Sequence, residues 1–395
     1  MSAYKKDITQ EIIAKVHAIG PILRDNAVET DKGRRVTQAS LDALETTGVF
    51  GINSLAQNGG FEGGARMLLD VTSTIGMYCP SSAWISVISS VSAQLAMRFP
   101  DTAWNRVYAG GKPVRMASVI VNSGNTARRE GEGYRINGEW PWGSNILNSE
   151  WAIGALDVYE AEGADPTPGY VLLHKDSFTI KDTWYSIGMR GTGSNNFIAK
   201  DILVPADQIA SVGTILGPEF EMSGEAHFLQ RLTPVSMFPT VIISGPLGGA
   251  KAALDYVIAA AGKRPITYSK YHPQNTSGAF VQSIGAAKAK IDTAEMSLQA
   301  AADLIDAAAL GTEPLSMADR ARVRNYGAHA TANLCEVMND LATLHGTATF
   351  AEFSPLGRLW RDVNTGARHA IAASPLCYEI GGASLLGVSP PTPLV

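Results

Sequence analysis

Asn137-Gly138-Glu139-Trp140-Pro141-Trp142-Gly143-Ser144-Asn145, running on to Glu150-Trp151, is the stretch from which the fold can be read. From Gly133 to Trp142 the residues alternate or run apolar, and Gly, Asn and Pro punctuate them, as in a β-strand. The segments 150–158 (EWAIGALDV), 169–174 (GYVLLH) and 195–205 (NNFIAKDILVP) have the same character. Working outward, the period changes on both sides. Ile8, Ile12, Val16 and Ile19 form one helical stripe, and Leu41, Leu44 and Val49 form another. The nearly charge-free stretch 81–99 predicts a buried helix. Beyond about Pro218, Ile284, Ala287, Ile291, Ala294, Leu298, Ala301 and Ile305 trace one long face, and a second helix is expected over about 316–344. Small residues crowd these helices, which permits close approach. The order is helical, then β, then helical bundle, an α+β arrangement. Domain boundaries are expected at 1–112, 113–217 and 218–395.

Composition excludes several classes of function. The 395 residues carry 32 Lys plus Arg against 37 Asp plus Glu, a net charge of −5, so no cationic surface dominates and nucleic acid is not expected as a partner. Only 17% of residues are charged, below the roughly 25% of typical soluble domains, which predicts much burial in a large core or between subunits. Cys79, Cys335 and Cys377 are far apart, which excludes a disulfide scaffold and fits a reducing cytoplasm. The start of the chain shows no apolar signal core, and no run of about 18 uncharged apolar residues occurs, so no membrane association is expected.

Familiar catalytic motifs are missing. Gly191-Thr-Gly193-Ser begins like a dinucleotide fingerprint, but it lacks the third glycine and lies between strands. Gly245-Pro-Leu-Gly-Gly-Ala-Lys251 has the wrong spacing for a phosphate loop and suits a helix start. No GxSxG or HExxH occurs, and the seven histidines show no ligand spacing, so no metal site is expected.

Three ordered segments carry a resemblance. Residues 137–145 with Trp151 resemble the NG-x-K-x-W-I-T-N strand of acyl-CoA dehydrogenase-fold flavoproteins. Trp184 to Ser194, running on to Asp201-Ile-Leu-Val-Pro205, resembles the G-L/M-R-G-T-G-S … VP signature of their monooxygenase branch. Leu344-His-Gly346-Thr347, Pro355-Leu-Gly-Arg358-Leu-Trp-Arg361-Asp362 and His369 resemble the family's C-terminal block. The implied fold has an N-terminal helical domain, a central β-barrel or sandwich and a C-terminal four-helix bundle, assembled as a homotetramer.

The residues discriminate between the chemistries of that fold. An acyl-CoA dehydrogenase needs a carboxylate base to remove a proton alpha to a thioester. The two family positions for that glutamate are Ala370 and Phe238 here, and the arginine position beside the second is Pro239. His369 instead matches a histidine of the two-component, reduced-flavin-dependent monooxygenases (group D). The resemblance therefore implies hydroxylation of an electron-rich aromatic such as an indole, phenol or polycyclic compound. It would proceed through a C4a-hydroperoxyflavin made from O₂ and reduced flavin, FAD favoured over FMN, delivered by a separate NAD(P)H:flavin reductase. The alternatives are an acyl-CoA dehydrogenase and a non-catalytic member of the fold.

Residue roles follow from the same match. Trp142 falls on the aromatic flanking the flavin, and Ser144 on the hydroxyl that accepts from N5–H and slows peroxide loss. His369, with an ordinary pKa of roughly 6.5, would give a proton to the nascent peroxide. Thr192 and Ser194 either bond the flavin side or stabilise their turn. Arg264 either reaches a neighbouring subunit's flavin pyrophosphate or ends a helix in solvent. Thr347 replaces a family glycine near the flavin. Residues 123–126 form a flavin-side loop or an ordinary hairpin. Trp84, Ser92 and Phe238 are substrate-pocket candidates or core; Ser92 stands where phenol hydroxylases carry a histidine, which favours a substrate already nucleophilic, such as an indole.

Overall fold

The computed structural model describes residues 4–311, 313–392 and 394–395. Before the sheet come α1 (Lys6–Asp25), α2 (Ala27–Gly33), α3 (Gln38–Thr47), α4 (Ala65–Gly76), α5 (Pro80–Ala96) and α6 (Asp101–Val107). The strands are β1 (Met116–Val119), β2 (Thr126–Glu130), β3 (Gly133–Gly143), β4 (Trp151–Tyr159), β5 (Thr167–His174), β6 (Thr179–Lys181), β7 (Asn195–Pro205) and β8 (Ile209–Ser211). Short helices α7 (Val212–Leu216), α8 (Glu219–Met222) and α9 (Phe228–Arg231) lead to α10 (Pro234–Val241), α11 (Ser244–Ala261), α12 (Gly278–Leu310), α13 (Met317–His345), α14 (Pro355–Gly366) and α15 (Ser374–Leu386).

The strands form one sheet in the order β6-β7-β3-β2-β4-β5-β8, with β1 parallel on β4. β3 carries the sheet's own core. Trp140 is fully buried, stacks on Phe197 with centroids 4.9 Å apart, and donates its indole N–H to the Ala155 carbonyl at 2.7 Å. Gly154 makes room for that ring: a Cβ there would lie 2.5 Å from the indole. Beyond the sheet, α4, α5 and the C-terminal helices share one large apolar core.

Close helix approach explains the glycines of α11. A Cβ on Gly248 would sit 2.1 Å from the Ser73 carbonyl oxygen of α4, so residues 245–251 are a helix crossing. The stretch Pro234–Ala261 is long and apolar enough to cross a membrane, but most of its apolar part is buried inside the protein. Asp306 of α12 joins bundle to N-terminal helices: its carboxylate accepts from Ala65 N–H at 2.7 Å and Arg66 N–H at 3.1 Å, supplying the cap that Gly64 lacks. Arg98, fully buried after α5, donates to the carbonyls of Ile215, Gly217, Gln230 and Leu232 and so pins the irregular 212–233 segment.

Candidate active site

Two adjoining cavities lie where α5, the end of β3, the 184–194 loop and the segment after α14 meet. The first, about 350 Å³, is apolar; Ile88, Val91 and Leu95 of α5 line it with Val235, Phe238 and Ile371. The second, about 450 Å³, is lined by Trp84, Trp184, Met189, Thr192 and Ser194 among others. Trp142, Ser144, His369 and Ala370 face both. Each volume suits a small-molecule site. Among the described residues no carboxylate lines either cavity, and Phe238 and Ala370 sit in the wall where a dehydrogenase would need its base.

A break in the ladder aims Ser144. The β3–β7 register shifts between Trp140 and Gly143, and Trp142 (φ 59°) and Asn145 (φ 67°) adopt left-handed conformations. Such an irregularity bends the strand and turns a side chain out of the sheet. Asn145 N–H then bonds the Thr192 carbonyl at 3.0 Å, bringing the two loops together. The Ser144 hydroxyl accepts the Trp84 indole N–H at 3.1 Å and lies 2.7 Å from the Ser194 hydroxyl, which is 2.7 Å from that of Thr192.

His369 caps a short turn after α14: its Nδ1 accepts the Ile371 N–H at 3.3 Å, which places the ring proton on Nε2. The indole of Trp84 and the ring of Phe238 flank it, centroids 5.7 and 5.5 Å away. Burial among these rings pushes the imidazole down to about 4. His369 is therefore neutral at physiological pH and offers a hydrogen bond from Nε2–H.

The 184–194 loop is bolted from beneath. Asp362, buried on α14, accepts the Met189 N–H at 2.6 Å, and burial raises its carboxyl to about 6. Arg361 donates to the Ile187 carbonyl at 2.7 Å and to Asp31 of α2 at 2.8 Å. Arg190 in turn donates to the Asp31 carbonyl at 2.8 Å.

The structure brings together Trp84, Trp142, Ser144, Thr192, Ser194, Phe238 and His369. Ser92 is corrected: it is fully buried behind the wall, because Ile88, Val91 and Leu95 take the cavity face of α5 and Ser92 turns to β1, bonding the Ser118 hydroxyl at 2.9 Å. Arg264 and Thr347 do not line either cavity of this chain. Arg264 lies on the bundle's end, donating to the His345 ring at 2.5 Å and to its carbonyl at 3.0 Å, and Thr347 is exposed nearby in sequence to His345. The 123–126 segment is a turn closed by the Asn122 carboxamide, and Ser123 edges the apolar cavity. Sequence reasoning missed Ser118, which lines that cavity, and the buried Asp362; the Arg-Asp pair at 361–362 was the available signal for the latter.

The second cavity fits a flavin ring: flat indole walls from Trp84 and Trp184, and a hydroxyl with an acceptor site at its edge. Comparison with known proteins agrees. Residues 241–374 match the family model for the acyl-CoA dehydrogenase C-terminal domain. The chain is 27% identical to a pigment production hydroxylase of Rhodococcus sp., covering 98% of this chain and all of that one. It is 27% identical to the oxygenase subunit HsaA, a flavin-dependent monooxygenase of Rhodococcus jostii, over 95% and 98% of the two chains. The structure of XiaF from Streptomyces sp. in complex with FADH2 and glycerol superposes with a TM-score of 0.95, at 32% identity and 98% coverage of both chains. With an apolar chamber, no carboxylate lining it among the described residues and kinship along its whole length, the chain belongs to the oxygenase components of two-component flavin-dependent monooxygenases with the acyl-CoA dehydrogenase fold.

Proposed function

We propose that the hydroxyl-lined cavity takes the ring system of reduced flavin and the apolar cavity takes an electron-rich, uncharged aromatic such as an indole or a larger polycycle. The observation carrying this reading is that Ser144 and His369 form the shared wall, between a chamber suited to each molecule. Reduced flavin supplies the electrons and activates O₂. The chain's own residues do the rest: Ser144 accepts from flavin N5–H, the Trp84 and Phe238 rings exclude water, and neutral His369 donates through Nε2–H where the oxygen is handed over. No charged side chain lines the apolar cavity among the described residues, so an anionic substrate would lose its hydration without compensation.

FAD is favoured over FMN; the FADH2 bound by XiaF and the arginine at 264, suited to a diphosphate on a neighbouring subunit, support this. In that arrangement Thr347 lies beside the same flavin. A homotetramer is supported by apolar side chains exposed on the C-terminal segment, Ile258 of α11, Met296 of α12 and Phe353 of the turn before α14 among them. The free thiols of Cys79, Cys335 and Cys377 support a cytoplasmic setting.

The test supplies FADH2 or FMNH2 aerobically with indole, a tricyclic aromatic and indole-3-acetate, and follows oxygenated product by mass against hydrogen peroxide. Neutral aromatics should be oxygenated with little peroxide. Preferred turnover of the carboxylate, or oxygenation of none, overturns the substrate assignment.

A further inference from the structure

The buried hydroxyls of Thr192 and Ser194 do more than fill a turn, because one arrangement along them bonds all three hydroxyl protons, those of Thr192, Ser194 and Ser144, inside the protein. The Met189 carbonyl can only accept, and Thr192 Oγ1 lies 2.8 Å from it. When Thr192 spends its proton there, its oxygen accepts from Ser194 at 2.7 Å. Ser194 then accepts from Ser144 at 2.7 Å. Ser144 thus donates inward, accepts the Trp84 indole N–H at 3.1 Å, and turns its remaining lone pair to the cavity. In the reversed relay Ser144 would donate into the cavity, but Thr192 would forfeit its bond to Met189. Thr192 and Ser194 are 1% and 3% exposed, so little of either residue is open to water that could replace a lost partner. The end of the relay is itself fixed, since Met189 N–H is held by Asp362 and the Met189 carbonyl also accepts from the Trp184 indole at 3.0 Å.

We infer that Thr192 and Ser194 are positioning residues that set the Ser144 hydroxyl as an acceptor, and that this makes the site select flavin carrying a hydrogen on N5. The inference rests on the proposed meeting of Ser144 with N5. Reduced flavin presents N5–H to that lone pair. Oxidised flavin presents a bare nitrogen lone pair, which an accepting oxygen repels unless the relay reverses and gives up one hydrogen bond.

The experiment measures the ratio of reduced to oxidised flavin affinity, anaerobically, in wild type, Ser144→Ala, Ser194→Ala, Thr192→Val and Thr192→Ser. One neutral hydrogen bond predicts about a fivefold loss of preference for reduced flavin in Ser194→Ala and Thr192→Val. Thr192→Ser keeps the hydroxyl and should keep the ratio. Ser144→Ala with Ser194→Ala should lose no more than Ser144→Ala alone. In the flavin-free protein, the Trp84 indole N–H resonance, assigned with Trp84→Phe, should move in Ser194→Ala and Thr192→Val but not in Thr192→Ser. An unchanged ratio in Ser194→Ala and Thr192→Val, or an equal loss in Thr192→Ser, overturns the inference. If Ser144→Ala also leaves the ratio unchanged, the placement of N5 at Ser144 is what fails.

Discussion

The indole nitrogen of Trp84 lies 3.1 Å from the hydroxyl oxygen of Ser144, joining the buried helix α5 to the bulged end of β3 across the floor of the site. Trp84→Phe keeps the aromatic wall and removes the N–H. Ser144 then loses a donor that fixes its rotor, and the fraction of flavin oxidation ending as hydrogen peroxide should rise about twofold to tenfold, the range of one hydrogen bond. Peroxide released per flavin oxidised, with substrate saturating, reads this directly.

The imidazole of His369 sits near 4 because burial disfavours its cation. A depressed value means that the proton is bound more weakly than in the unfolded chain, so the stability tied to the neutral ring is complete above about 6.5 and is lost as pH falls through about 4. Coupled hydroxylation should accordingly show no limb due to His369 between pH 5.5 and 8. A pH profile of coupling in wild type and His369→Gln checks this: a wild-type limb near 6.5 that vanishes in the variant contradicts a neutral donor.

Asp306 carries the opposite sign. Burial raises its carboxyl to about 7, so its contribution is fully present below the ordinary carboxylate range and is lost as pH rises through about 7. Asp306→Asn removes that titration while keeping an acceptor for the α4 amides. Urea unfolding at pH 5 and pH 8 should show the variant gaining on wild type as pH rises.

Asp362 anchors the loop beneath Thr192 through Met189 N–H. Asp362→Ala leaves that amide buried without its partner, which costs about 1–3 kcal/mol. The unfolding midpoint should fall, and flavin affinity should fall with it. Asp362→Asn retains an acceptor and should recover most of both.

Gly248 meets the Ser73 carbonyl at the crossing of α11 and α4. Gly248→Ala forces these backbones apart and should cost about 3 kcal/mol in denaturant unfolding, at the upper end for overpacking.

Periodic elements were legible because local pattern and tertiary burial agree in them. β3, β4, β5 and β7, and the long helices α12 and α13, fall close to the segments read from alternation and from the 3.6-residue stripe. β2 escaped notice because Arg128, Arg129 and Glu130 are exposed along it, so it has no apolar face of its own beyond Ala127. Ser92 was misplaced for a related reason. Counting along a helix finds the turn, but α5 is buried all round, and only its neighbours decide which side meets a cavity. The clamp joining Asp31 to Arg361 spans 330 residues and leaves no local trace. The imidazole's acidity was illegible too, since it depends on Trp84 and Phe238 arriving from distant segments.

The two cavities share Ser144 and His369, but Val91, Leu95 and Val235 line only the apolar one. On the proposed assignment of substrate to the apolar cavity, mutation at those three positions reshapes what is oxidised and leaves the lining of the other cavity as it is. Under that assignment natural selection has a partitioned scaffold, in which new aromatic preferences can arise on one side while the lining of the other is passed on intact.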